Sequence, residues 1–283
     1  MFMDKLNTLL QKNVIDINKT LDVYLSDTRI GNSKLAEAMR YSVKNGGKRI
    51  RGCLVLEFCH MFQGDIRKAS PYAAAIELGH AASLVHDDMP CMDNDDMRRG
   101  VASCHVKYGE YTALLAGDAL LSYAFEILST NSQVEASINC KAVEIFSRNV
   151  GVNGMCLGQQ KDLEDSCESI EELLKMYDLK TGLPIKVAAI LGCFAAGIEI
   201  DDCLLSKIDD YAHSLGRAYQ IMDDLSDADF SEKEKVTVLS FVSQEEAEKN
   251  AENYLVNASL LFEEFPNSKV ICALPQYLYS IVR

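Results

Sequence analysis

Apolar residues recur at three- and four-residue spacing along almost the whole chain. Leu6, Leu10, Val14, Ile17, Leu21 and Tyr24 form one stripe, and Leu35, Met39 and Val43 another. That period puts each set on one face of an α-helix. The second stripe stops at Asn45, Gly46 and Gly47, a helix C-terminal signal. Ser70 before Pro71 predicts a helix start with proline at the first helical position, and small residues carry that helix to about His86. The same period predicts helices over about 110–130, 134–163, 170–180, 184–198, 202–228 and 243–264. Ser169 with Glu172, and Ser243 with Glu246, are capping boxes, in which each pair satisfies two orphan amides. No segment alternates apolar and polar residues between hairpin turns. The reading is a single all-α domain over residues 1–283, in which residues 201–283 can pack as a layer of their own without a linker to mark it.

Composition narrows the function classes. The chain has 283 residues, 48% of them hydrophobic and 25% charged, enough for a sizeable core. Asp plus Glu total 42 against 28 Lys plus Arg, a net charge of −14. Such a surface repels phosphate backbones and anionic membranes, so general nucleic-acid binding is not expected. Five prolines and 16 glycines are few for a turn-rich β-sandwich or barrel. No apolar run approaches the ~20 residues of a spanning helix, so stable membrane insertion is not expected. The N-terminus has no apolar signal core. The 10 cysteines lack paired CxxC spacing; they read as reduced thiols, mostly buried, and the expected location is cytoplasmic.

The candidate chemistry sits in two aspartate clusters. The first is HDDMPCMDNDDMRRG at residues 86–100, and the second is YQIMDDLSD at 219–227. Asp223 and Asp227 are four apart, so a helix stacks their carboxylates on one face, where like charges repel unless a cation intervenes. Asp87 and Asp93 are six apart, which a regular helix would put on different faces. Pro90 breaks the helix, so the helix should end near Asp87 and Asp88 and the next turn should return Asp93 beside them. Oxygen ligands without His or Cys suit Mg²⁺, completed by a substrate phosphate. An EF-hand loop is excluded, because the glycine and the final glutamate that it needs are missing.

Basic groups flank these clusters. Gly46 and Gly47 precede Lys48, Arg49 and Arg51, an arrangement that lets amides and a guanidinium approach an anion. It is not a nucleotide P-loop, since GxxxxGK[ST] is absent. Arg98 and Arg99 directly follow the first acidic cluster, and Lys180-Thr181 and Lys235 add further cations. The residues alone imply a Mg²⁺-diphosphate site in a helical bundle, with carboxylates on metal and cations on the remaining oxygens.

The combination resembles the trans-isoprenyl diphosphate synthases of the farnesyl and geranylgeranyl type, in register over roughly residues 35–230. That resemblance implies an all-α bundle around a deep central cavity, the isoprenoid synthase type, usually homodimeric. GGKRIR implies Lys48 and Arg51, with His80, for homoallylic diphosphate. The first cluster implies Mg²⁺ at Asp87, Asp88 and Asp93, allylic diphosphate at Arg98 and isopentenyl diphosphate at Arg99. The string GDALL begins at Gly117, and Gly158, Gln159 and Asp162 match a GQ-x-x-D segment. Lys180 and Thr181 match a KTG motif, and Gln220, Asp223, Asp224 and Asp227 match the second aspartate-rich motif. The implied catalytic set is Asp87, Asp88, Asp93, Asp223, Asp224 and Lys180, with three Mg²⁺ ions. The implied substrates are isopentenyl diphosphate and an allylic diphosphate. The sequence departs from the family at Gly52, where a proline is usual, at Pro184 in the KTG segment, and in a short stretch between Asp227 and Lys235, the residue that stands for the family's later lysine.

Ala82 and Ser83, one turn before Asp87, lie where large aromatic residues stop growth at fifteen carbons in this family. Both are small, which favours a twenty-carbon geranylgeranyl product over farnesyl diphosphate. The floor is then expected near Ile76, or at Tyr123 and Phe125. A class I terpene synthase shares the aspartate motifs but has no second diphosphate site. A non-catalytic partner subunit would not need both metal clusters.

Overall fold

The computed structural model describes residues 2–227 and 235–282. Helices dominate: α1 (Phe2–Leu25), α2 (Lys34–Lys44), α3 (Ile50–Met61), α4 (Ile66–Asp87), α5 (Cys104–Tyr108), α6 (Glu110–Ser129), α7 (Ala136–Val150), α8 (Met155–Glu164), α9 (Ile170–Tyr177), α10 (Leu183–Ala195), α11 (Asp202–Asp227), α12 (Gln244–Leu260) and α13 (Lys269–Val282). A two-residue hairpin is the exception: β1 (Met97–Arg98) pairs antiparallel with β2 (Val101–Ala102). Arg99 and Gly100 turn it at φ of 54° and 79°, the positive pair a two-residue hairpin needs.

Several boundaries depart from the periodicity for a local reason. α4 starts at Ile66, before Pro71, because Asp65 caps it by accepting from the Arg67 N–H at 2.9 Å. Ser70 is no cap; its hydroxyl donates back to the Ile66 carbonyl at 2.9 Å. The stretch expected as one helix over 134–163 is two, α7 and α8, because the chain folds back at Gly154. A Cβ there would lie 2.0 Å from the Asn149 carbonyl oxygen. Between α9 and α10 one π-turn, Asp178–Gly182, widens the helix. Pro184 supplies the reason: it cannot donate to the previous turn, and its ring crowds the carbonyl four residues back. Ser169 accepts from Glu172 N as expected, at 3.3 Å, but the Glu172 carboxylate takes the Glu168 N–H rather than that of Ser169.

α4 is the central helix, packed against α3, α6 and α10. One apolar core runs from Leu6 to Leu278. Phe58 of α3 meets Tyr211 of α11 and Phe262 edge-to-face, at 5.8 and 5.2 Å, so α11 and the chain just after α12 share that core rather than forming a separate layer. Two expectations from composition change. Only four of the ten thiols are buried (Cys53, Cys59, Cys104 and Cys193), while Cys91, Cys140, Cys156 and Cys203 are exposed. And α6 is long and apolar enough to cross a membrane, although half of that window is buried against the rest of the fold. Its outward face exposes Tyr111, Leu114 and Leu115.

Candidate active site

The C-terminus of α4 delivers the first cluster. Asp87 is its last residue, and the chain then wraps back as Pro90 predicts: Asp93 N donates to the Asp87 carbonyl at 2.9 Å, and Asp95 N to that of Asp88 at 3.2 Å. Burial pushes the Asp87 carboxyl up to about 7; Lys180 opposes the rise and Asp93 and Asp88 add to it. Asp88 is 3% exposed. The hairpin folds Arg98 back onto it, so that Arg98 Nε lies 2.8 Å from Asp88 Oδ1, Nη2 reaches the same oxygen, and Nη2 also bonds Asp95 at 3.0 Å. Burial raises the Asp88 carboxyl and Arg98 opposes it.

Arg99 points the other way and joins the two motifs. Its guanidinium donates to the Gly46 carbonyl. It also lies against Gly47, where a Cβ would stand 2.7 Å from the guanidinium carbon. The double glycine thus makes room for a cation from another part of the chain.

The three cations at the start of α3 have different fates. Arg49 is buried, bonded to the Val43 carbonyl at 2.6 Å, Asn18 at 3.0 Å and Glu77 at 3.4 Å, so it holds the fold together. Arg51 Nη1 lies 3.3 Å from His80 Nε2. Burial, then Arg51, Arg99, Arg49 and Arg98, hold the His80 ring far below its usual value. The ring is therefore neutral, and Nε2 accepts the arginine proton. Burial lowers the Lys48 ammonium while Asp223 across the site supports its charge. Gly52 has a physical reason: its N–H donates to Glu77 Oε1 at 2.8 Å, and a Cβ would lie 2.9 Å from Ile17 Cδ1. A proline would lose that bond.

α11 carries the second cluster. Thr181 donates to Gln220 Oε1 at 2.7 Å, tying the π-turn to this helix. Tyr219 stands in the fields of Asp223, Arg51 and Arg99, with burial the main cause that raises its hydroxyl. Asp224 is committed elsewhere: its Oδ2 accepts from the Tyr177 hydroxyl and, at 2.8 Å, from Val238 N. Burial pushes its carboxyl up to about 6. The side chain of Asp227 lies outside the described residues.

One residue went without a role in the sequence reading. Asp162 of α8 bridges Lys180, Nζ to Oδ2 at 2.5 Å, and Lys235, Nζ to Oδ1 at 2.8 Å. Burial favours its protonation, but the two lysines outweigh it and hold the carboxyl below its usual value. The GQ-x-x-D string was the available signal. Lys235 thus reaches the site despite the short stretch before it, and it also feels Asp93. Gly158 and Gly216 clamp the π-turn that carries Lys180: a Cβ on the first would lie 2.6 Å from Lys180 N, and one on the second 2.8 Å from Gly182 Cα.

A small apolar cavity of about 20 Å³ lies beside Arg51 and His80, walled by Ile76, Gly79, Phe146, Val150, Met155 and Val187. Ile76 lines it. Tyr123 does not; its hydroxyl donates to the Tyr24 carbonyl at 3.0 Å, and it borders a separate groove near Arg29. Phe125 stands behind Phe146. Ala82 is buried, and the Ser83 hydroxyl donates to the His80 carbonyl at 2.9 Å.

Among the described residues no three carboxylate, His or Cys side chains converge tightly enough to hold a metal alone. The donors still fit a hard cation. They are oxygens only, and Asp87 is crowded by Asp93 and Asp88 in a buried place, a charge excess that Mg²⁺ with a bridging phosphate relieves.

The polyprenyl synthetase family model matches residues 32–262. The farnesyl diphosphate synthase of Haemophilus influenzae is 34% identical over 285 residues, covering 96% of this chain and 97% of that one. The geranylgeranyl diphosphate synthase of Cyanophora paradoxa is 36% identical over 83% of each chain. The apo crystal structure of an FPP/GFPP synthase from Zymomonas mobilis superposes with a TM-score of 0.89, 32% identity and full coverage of both chains. Fold, motifs and relatives agree: the chain belongs to the polyprenyl synthetase family and is a trans-isoprenyl diphosphate synthase, a prenyltransferase of the Mg²⁺-dependent kind.

Proposed function

We propose that this enzyme condenses isopentenyl diphosphate with dimethylallyl, geranyl or farnesyl diphosphate, ending at the twenty-carbon geranylgeranyl product with the fifteen-carbon farnesyl product second. One observation carries the two-substrate reading: two separate groups of cations flank the aspartates. Arg51 and Arg99, with neutral His80, form one; Lys180 and Lys235 on Asp162 form the other. A terpene synthase needs only one diphosphate site, and a non-catalytic subunit needs neither.

In this reading Asp87, Asp88, Asp93, Asp223 and Asp227 hold three Mg²⁺ ions together with the allylic diphosphate. Bound Mg²⁺ stabilises the negative charge that the leaving diphosphate gains. Arg98, Lys180, Thr181, Gln220 and Lys235 orient the allylic diphosphate; Lys48, Arg51, His80 and Arg99 hold isopentenyl diphosphate. Asp224 acts by positioning, through Tyr177 and Val238. The allylic C–O bond breaks and its electron pair leaves with the diphosphate. The terminal alkene carbon of isopentenyl diphosphate bonds to the allylic carbon, and a proton passes to the departing diphosphate. The apolar cavity keeps water from the cation. The exposed face of α6, with Tyr111, Leu114 and Leu115, supports a homodimer that covers it, and ten unpaired thiols support a cytoplasmic location.

The test is purified protein with Mg²⁺, labelled isopentenyl diphosphate and each allylic primer, with products sized by chromatography. Incorporation into prenyl diphosphates is expected; a hydrocarbon from the primer alone would indicate the lyase instead. Small Ala82 and Ser83 support the longer product, and Ala82→Phe should shorten it to fifteen carbons.

A further inference from the structure

Along α4, Ile76, Gly79, Ser83 and Asp87 recur every three or four residues, so they share the face that runs away from the aspartates. At 1.5 Å per residue, Gly79 lies about 12 Å and Ile76 about 16 Å along the helix from Asp87. Gly79 and Ser83 carry no side chain long enough to close that path. The opposite wall does. Phe146 of α7 lines the same cavity as Arg51 and His80. Its Cζ stands 2.6 Å from where a Cβ on Gly79 would be, so the ring occupies the space that the missing side chain leaves. Phe146 is 2% exposed, and Phe125 of α6 packs edge-to-face behind it, with ring centres 5.2 Å apart at 82°. A ring braced by a second ring has no empty place to retreat into.

We propose that Phe146 is the floor that ends product growth in this chain. The inference rests on the prenyltransferase reading, and it puts the stop on α7 rather than at Ala82 and Ser83. A prenyl tail lengthens as long as each unit finds apolar room. Past Gly79 the next unit would have to displace the Phe146 ring together with Phe125, so release becomes faster than another condensation.

Wild type, Phe146→Leu and Phe146→Ala are compared with Mg²⁺, one primer and excess labelled isopentenyl diphosphate. Products are sized at equal total incorporation, so a general loss of rate does not move the readout. The longest abundant product of Phe146→Ala should exceed that of wild type by at least one isoprene unit, with Phe146→Leu between them. Phe146→Leu, which keeps an apolar side chain, carries the test if the alanine variant fails to fold. Label incorporated by the folded variants into products of wild-type length overturns the floor and leaves the prenyltransferase reading standing. No incorporation by wild type overturns that reading, and the floor with it.

Discussion

The two aspartate pairs look alike in the sequence and are built differently. Asp87 and Asp88 lie where a helix ends and the chain wraps back on itself; Asp223 and Asp224 lie within the continuous α11. In both, the second aspartate gives one oxygen to the fold. Asp88 Oδ1 takes the Arg98 guanidinium from its own hairpin, whereas Asp224 Oδ2 takes two neutral donors from distant elements, Tyr177 and Val238. The difference teaches how each cluster is held in place. The first is preorganised by a charge pair close in sequence, the second by hydrogen bonds that gather α9, α11 and the chain beyond residue 234.

The largest expected effect tests what the first member of each pair does. Asp87→Asn and Asp223→Asn should each lower turnover by about two to three orders of magnitude, the usual loss for one preorganised electrostatic group, with the fold retained by circular dichroism. Turnover within a few-fold of wild type in either variant would break the assignment.

Next comes Asp162→Asn, which removes the anion that holds Lys180 and Lys235. The apparent KM for the allylic primer should rise roughly tenfold, about 1.4 kcal/mol, and that for isopentenyl diphosphate should change less. Equal rises would show that the two lysines do not belong to one substrate.

A smaller effect separates the second members. Asp224→Ala leaves the Tyr177 hydroxyl and Val238 N–H without their acceptor and should destabilise the protein by about 1–3 kcal/mol in denaturant unfolding. Asp88→Ala also strands a cation, but Arg98 keeps Asp95, so its loss should be less. The reverse order would contradict the contrast drawn between the pairs.

The smallest effect is on pH. Asp87 is pushed up to about 7 and Asp224 to about 6, both above the unfolded value near 3.9. At these two carboxyls the folded chain therefore binds more protons than the unfolded one between about pH 4 and 7, a contribution to stability that is lost as pH rises through that window and that neutral His80, protonated only in the unfolded chain, partly offsets. The melting temperature of metal-free protein should fall from about pH 5 to pH 8, and Asp87→Asn should flatten the fall. Mg²⁺ with inorganic diphosphate should restore stability at the upper end. A melting temperature that rises over the same range would sink this account.

Much of this was legible in the residues. The helical period located most of the helices, because a 3.6-residue pattern is local information. Pro90 located the end of α4 and the return of Asp93, and the motifs singled out the cations around the site. The misses share a cause. Ser70-Pro71 has the chemistry of a helix start, but Asp65 caps first and Pro71 is carried inside α4. The string of cations alone does not tell Arg49 from Lys48 and Arg51; the resemblance named only the latter two, and Arg49's partners Val43, Asn18 and Glu77 give the physical reason. Thiol burial followed helix faces that composition does not report.

What the sequence determined by itself is what depends on neighbours along the chain: helix faces, the carboxylate pairs and the order of charged motifs. Tertiary structure alone decided that the second member of each pair gives one oxygen to the fold, Asp88 to Arg98 and Asp224 to Tyr177 and Val238. It also decided that Gly47 makes room for Arg99 and Gly79 for Phe146, and that Asp162 joins two lysines far apart in the chain. The physical reason is that a side chain's partner in a packed interior comes from whichever element crosses it, and spacing along one helix carries no record of what lies opposite.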